Sequence, residues 1–208
     1  MPSLQSIFLQ LAALFSSDKE LAITYWKAIE KNYSGKRRHY HTLQHLENIY
    51  AALYPVQHQI DNWSTLLFTL FYHDIIYNPL RADNEEQSAI AAEKALQKLT
   101  VPADMIADCK AQIMATKSHE LSTSSDTNFF TDADLCILGS PWAEYEIYSN
   151  NVRREYAVYP DLLYKPGRRK VIHHFLQQER IFKTAHFYTV YEKEARNNLS
   201  RELGKLSS

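Results

Sequence analysis

Apolar residues recur at three- and four-residue intervals along almost the whole chain, the spacing that lines one face of an α-helix. The pattern predicts helices over residues 3–16, 18–34, 42–54, 63–77, 84–99, 103–117, 132–139, 142–158, 168–178 and 186–203. Ser17 is expected to cap the second of these and Gly35 to stop it. Pro55, Pro79, Pro102, Pro141, Pro160 and Pro166 all fall between periodic segments or at a first turn, where the missing N–H leaves no bond unmade. Asn84, ahead of Glu85, Glu86 and Gln87, has the form of an N-cap with the N3 side chain reaching back. The polar run 118–128 is the longest expected loop. With no internal repeat and no low-complexity linker, the expectation is one all-α domain over residues 1–208.

Composition narrows the classes. Apolar residues make up 45% of 208, enough for a sizeable core. The 23 basic and 24 acidic side chains nearly cancel, which disfavours nucleic acid or a membrane surface as partner. They are unevenly placed: residues 141–208 hold 12 Lys/Arg against 8 Asp/Glu, and the first 140 hold 11 against 16. That asymmetry suits an anionic substrate over an acidic metal site. No stretch approaches the ~20 apolar residues of a membrane span, and no basic start precedes the first apolar stretch. Cys109 and Cys136 sit in apolar periodic stretches, as buried free thiols would in a reducing cytosol. Four glycines in all argue against a phosphate-cradling glycine loop. Among fourteen tyrosines, Tyr145, Tyr148 and Tyr156 fall near helical spacing, a core stripe in expectation.

Candidate chemistry begins with His73-Asp74, embedded in Phe71-Tyr72 and Ile75-Ile76-Tyr77. A buried carboxylate costs several kcal/mol unless cations or donors surround it, and a metal ion supplies that compensation. Upstream, His41 and His45 are four residues apart, which on a helix puts them on one face a turn apart. Downstream, Asp132-Ala133-Asp134 is an acidic pair opening an apolar helical segment. Imidazoles and carboxylates together make a mixed nitrogen/oxygen site suited to Mn, Fe, Co, Ni, Zn or Mg, with positions left for water and substrate.

These three separated motifs resemble the H…HD…D signature of the HD superfamily of metal-dependent phosphohydrolases, over about residues 37–140. The stretch Tyr40-His41-Thr42-Leu43-Gln44-His45 also resembles the YHNxxH motif of cyclic-nucleotide phosphodiesterases, with Thr42 where that motif has Asn. The run HDIIYNPLRADNEEQSA followed by TDADLCILG is similar to a little-characterised bacterial group of predicted HD phosphohydrolases. The resemblance implies an all-helical HD-type domain with helical extensions at both ends. It implies His45, His73, Asp74 and Asp134 as metal ligands, with Asp134 selected over Asp132, and His41 as proton donor.

The implied activity is hydrolysis of a nucleotide or other small phosphoester by a metal-activated water. Phosphoryl transfer asks chiefly for positioning and charge neutralisation. Arg81 in the loop after His-Asp is the favoured phosphate clamp. Arg38 and the cluster Arg153, Arg154, Arg168, Arg169 and Lys170 are further candidates, although Arg168-Arg169-Lys170 also has the form of an exposed helix start. Glu86, in Glu-Gln-Ser-Ala, resembles an E-x-S-A element of several family branches and is a candidate for a metal-held water or second ion. Its competing role is as helix N-terminal charge. His119 is weighed between lining the pocket and closing a helix. His58, His173, His174 and His186 have no partner pattern. The alternative function is a non-catalytic metal- or nucleotide-binding regulatory module on the same scaffold.

Overall fold

The segment Trp63–Tyr72 (WSTLLFTLFY) carries apolar or small side chains on every face, so as a helix it must be buried all round. The computed structural model, which describes residues 2–207, places it so: Thr65 through Tyr72 are all buried. This helix is α4. The others are α1 (Leu4–Ala13), α2 (Lys19–Tyr33), α3 (Leu43–Leu53), α5 (Asn84–Lys98), α6 (Ala103–Ala115), α7 (Ser125–Asp134), α8 (Trp142–Glu155), α9 (Asp161–Gln177) and α10 (Ala185–Ser207). Short 3-10 helices lie at Tyr54–Gln59 and Cys136–Gly139. The described chain is all-helical, and none of its helices is long and apolar enough to cross a membrane.

Contacts divide the chain into two compact units, the first ending at Thr131 and the second beginning at Asp132. In the first unit α4 packs against α1, α3, α5 and α6. Phe8 of α1 and Trp26 of α2 meet Phe71 edge-on at 5.1 and 6.3 Å. Asp126 of α7 is buried, and its two carboxylate oxygens accept the backbone N–H groups of Asp61 and Asn62 just before α4.

In the second unit, α10 packs on α9 and on the Cys136–Gly139 turn. A methyl group at Gly139 would lie 2.6 Å from the Cβ and the carbonyl oxygen of Tyr191, so this contact requires glycine. Two buried carboxylates fasten the segment between α9 and α10. Glu192 accepts the N–H groups of Ile181 and Phe182. Asp132 accepts those of Lys183 and Thr184, together with the Thr184 hydroxyl. Deeper still, Arg168 forks onto both oxygens of Glu202 at 2.8 and 2.9 Å, and the Tyr145 hydroxyl donates to the same carboxylate. Burial pushes the Glu202 carboxyl up, but Arg168, Tyr145 and Ser149 outweigh it and hold the pKa below the ordinary value.

Several expectations are corrected. Asp18, not Ser17, caps α2, its carboxylate accepting the Leu21 N–H at 2.9 Å. Asp83 precedes α5, while Asn84 turns its side chain to the Asn78 backbone instead of capping the helix. Pro166 lies inside α9, where Leu162, whose carbonyl loses its donor, is exposed to water. The 118–128 run is not all loop: α7 starts within it, with the Ser124 hydroxyl accepting the Thr127 N–H. The Asp132/Asp134 pair therefore closes a helix rather than opening one.

Two outcomes are expected. Gly139→Ala forces the backbone of α10 away and lowers stability by about 1–3 kcal/mol, measured by urea unfolding. A carboxyl whose folded pKa is depressed contributes stability that is present above its unfolded pKa and lost as pH falls through the folded value. Glu202→Gln is thus expected to be about 3–5 kcal/mol less stable than wild type near neutrality, a gap that narrows on acidification below the ordinary glutamate pKa, followed by circular dichroism.

Candidate metal centre

An α-helix ends with carbonyls that have no helical donor. At the end of α4 the Thr69 carbonyl takes the His73 N–H at 2.9 Å, and the Leu70 carbonyl lies 3.0 Å from His73 Nδ1. A carbonyl only accepts, so Nδ1 carries a proton, and in the neutral ring Nε2 is then the lone-pair nitrogen, as in a metal-ligating imidazole. Helical pairing stops there. The Ile76 N–H turns to the Ser88 hydroxyl of α5 instead of the Tyr72 carbonyl. The Asp74 and Ile75 carbonyls accept from Arg38 at 2.7 and 2.9 Å. His73-Asp74 is therefore a turn at a buried helix end, not the helix interior expected over 63–77, and neighbouring side chains can converge where a helix would splay them.

His73 Nε2 lies 3.3 Å from His45 Nε2 and 3.3 Å from Asp74 Oδ2, and His45 Nε2 is 3.9 Å from Asp74 Oδ2. Among the described residues, the donor atoms of His45, His73 and Asp74 form a group within 4.8 Å of one another. Ligands about 2.1 Å from a common ion lie roughly 3.0–3.4 Å apart at right-angle or tetrahedral geometry. Two of the three separations fit without movement, and the third asks only for a wider angle. Two imidazole nitrogens and one carboxylate thus fit a divalent ion. The side chains of His45 and His73 are 2% and 1% exposed, against 18% for Asp74 and 19% for His41, so the cluster meets solvent at its Asp74–His41 edge.

His41 precedes α3 instead of sharing its face with His45, because α3 begins at Leu43. A turn brings it in: its Nε2 is 3.8 Å from Asp74 Oδ2, its ring lies against Tyr77 at 4.2 Å, and the His41 and His45 ring centroids are 5.7 Å apart.

The other candidates are distributed differently. Arg81 forks onto Asp83 at the surface and holds its carboxyl down at about 2. Glu86 accepts from Lys117 through Oε1, while its Oε2 is buried without a hydrogen-bond partner. His119 adopts a left-handed backbone (φ 53°) after α6, its N–H on the Ala115 carbonyl. Asp132 is fully buried and spent on Lys183 and Thr184. Asp134 ends α7 in the second unit, half-buried. Arg153 ties Asp161 to the Tyr156 and Tyr159 carbonyls, and Arg168 is a buried partner of Glu202 rather than an exposed helix start. Burial pushes both cysteine thiols up to about 12, so neither offers a thiolate near neutrality.

Two supporting residues escaped the sequence reading. Tyr33, at the end of α2, accepts the Asp74 N–H through its hydroxyl at 3.2 Å; as a buried aromatic on an amphipathic face it carried no sign of this. Ser88 is buried and both accepts from the Ile76 N–H and donates to the Ile76 carbonyl, which accounts for the serine of the Glu-Gln-Ser-Ala element. Ser88→Ala strands that N–H and is expected to cost about 1–3 kcal/mol in chemical denaturation. In comparisons with known proteins, no family model, no curated protein and no solved structure matches the chain.

Proposed function

We propose that the chain is a divalent-metal-dependent phosphohydrolase acting on a small phosphoester such as a nucleotide. The observation that carries this reading is the convergence of His45, His73 and Asp74 with the Nδ1 proton of His73 committed to the Leu70 carbonyl. The resemblance of H…HD…D to the HD superfamily supports it and supplies the reaction class. When bound, the ion would lower the pKa of a water and polarise a phosphoryl oxygen.

The chain's own residues supply the rest. His45 and His73, both buried, would hold the ion together with Asp74, which lies nearer solvent. His41, half-buried beside Asp74, would supply the proton that a leaving oxygen collects. Arg81 serves as a phosphate clamp by exchanging its exposed partner Asp83 for the substrate. Glu86 keeps one carboxylate oxygen for a polar partner beyond Lys117. The motif resemblance also implies Asp134 as a ligand. Two unpaired cysteines suit a reducing compartment such as the cytosol.

The test is elemental analysis of the purified protein, followed by a phosphoester panel with Mn, Co, Ni, Zn, Fe or Mg restored. His73→Ala and Asp74→Ala are expected to weaken metal binding by at least ~100-fold and to abolish metal-dependent turnover while the helical circular dichroism persists. Asp134→Ala is expected to weaken the metal in the same way; unchanged affinity would remove it from the ligand set. Wild-type protein that binds a metal yet hydrolyses no phosphoester would leave a metal- or nucleotide-binding module in place of an enzyme.

A further inference from the structure

An arginine beside the first motif invites a phosphate-clamp reading, but three N–H donors of Arg38 are already engaged with backbone carbonyls. Nη1 donates to the carbonyls of His41 at 3.2 Å and Asp74 at 2.7 Å, and Nη2 donates to that of Ile75 at 2.9 Å. The guanidinium carbon lies over the rings of Tyr33 at 4.8 Å and Tyr77 at 5.5 Å. Each contact answers a specific need. The Asp74 and Ile75 carbonyls fall just past the end of α4, where no helical N–H reaches them. The His41 carbonyl lies in the turn before α3. One planar fork thus ties the turn that carries His41 to the turn at Asp74, a residue 36 positions from the arginine. A lysine ammonium has no such fork. Tyr33 adds a second hold on the same residue: its hydroxyl accepts the Asp74 N–H, so both backbone groups of Asp74 are fixed by the end of α2 and the loop after it.

We propose that Arg38, assisted by Tyr33, is the positioning residue of the metal centre: it sets the separation of His41 and Asp74 through their backbones and does not itself meet the phosphate. The proposal rests on the metal reading above and names what holds that site in shape. Ligands locked from behind need no reorganisation when the ion arrives, and outer partners of this kind are worth roughly 10–100-fold in metal affinity.

The experiment measures Co2+ affinity by calorimetry, without substrate, for wild type, Arg38→Gln, Arg38→Lys, Tyr33→Phe and Arg196→Gln. Arg196 is the matched control: in the second unit it likewise ties backbone carbonyls, those of Leu176, Gln178 and Glu179. Expected are a tenfold or greater loss of affinity in both Arg38 variants, a smaller loss in Tyr33→Phe, and none in Arg196→Gln despite its lower melting temperature. Wild-type affinity in Arg38→Gln overturns the proposal. So does a lysine variant that binds Co2+ normally and shows only a raised KM for the phosphoester, since that pattern belongs to a phosphate contact. If the Arg38 variants do not fold, Tyr33→Phe decides: weakened Co2+ binding supports the proposal and unchanged binding overturns it. A wild-type protein that binds no Co2+, nor any other divalent ion of the panel, removes the metal reading itself and this proposal with it. That result is distinct from the others, all of which begin from a wild type that binds.

Discussion

A helix apolar on every side has to sit at the centre of its unit, and α4 imposes that condition on the first 131 residues. Leu66, Leu67, Phe68, Leu70 and Phe71 each contribute about 1.5–3 kcal/mol on burial, so neighbours must exist on all faces. α1, α3, α5 and α6 are those neighbours. The same condition makes the helix terminus a problem, because carbonyls left at a buried end must find donors. The His73 ring, the Arg38 fork and the Ser88 hydroxyl all answer it by donating to such carbonyls. Two residues of the candidate centre, His73 and Asp74, belong to the end of that buried helix.

Carboxylates do a second kind of work in this fold, and it sorts the acidic residues. Asp126, Asp132 and Glu192 are buried and take backbone N–H groups in pairs, each fixing a segment that has no helical hydrogen bonds of its own. Their charge is met by amide dipoles, with Lys183 added for Asp132 and Arg196 for Glu192. Asp74 differs. Its side chain is turned toward histidine nitrogens, while its backbone donates to Tyr33 and accepts from Arg38.

The fold class was legible because helical periodicity depends on burial, and burial in this chain follows the apolar pattern closely. Where polar groups decide the matter, periodicity is silent. Thus α7 began inside a polar run, since Ser124 and Asp126 are polar for structural reasons, and α4 stopped five residues short of its apolar pattern because long-range partners took its last hydrogen bonds. For the site, the motifs offered His45, His73, Asp74 and Asp134 as a set, and the structure groups the donor atoms of the first three. The roles of Arg38 and Tyr33 were not readable, because a side chain's contact with backbone 36 or 41 residues away leaves no local trace. Arg168 likewise passed for surface: a buried ion pair looks the same in sequence as an exposed one, and its partner Glu202 is 34 residues distant.

The contact between the His73 ring and the Leu70 carbonyl makes the tautomer of the imidazole a property of where a helix stops, not of the residue's identity. A His-Asp dipeptide moved into the middle of another helix would find the equivalent carbonyl already bonded, its Nδ1 proton uncommitted and its two side chains splayed by about 100°. What would have to be transplanted is the interrupted helix, together with the distant arginine that receives its loose end.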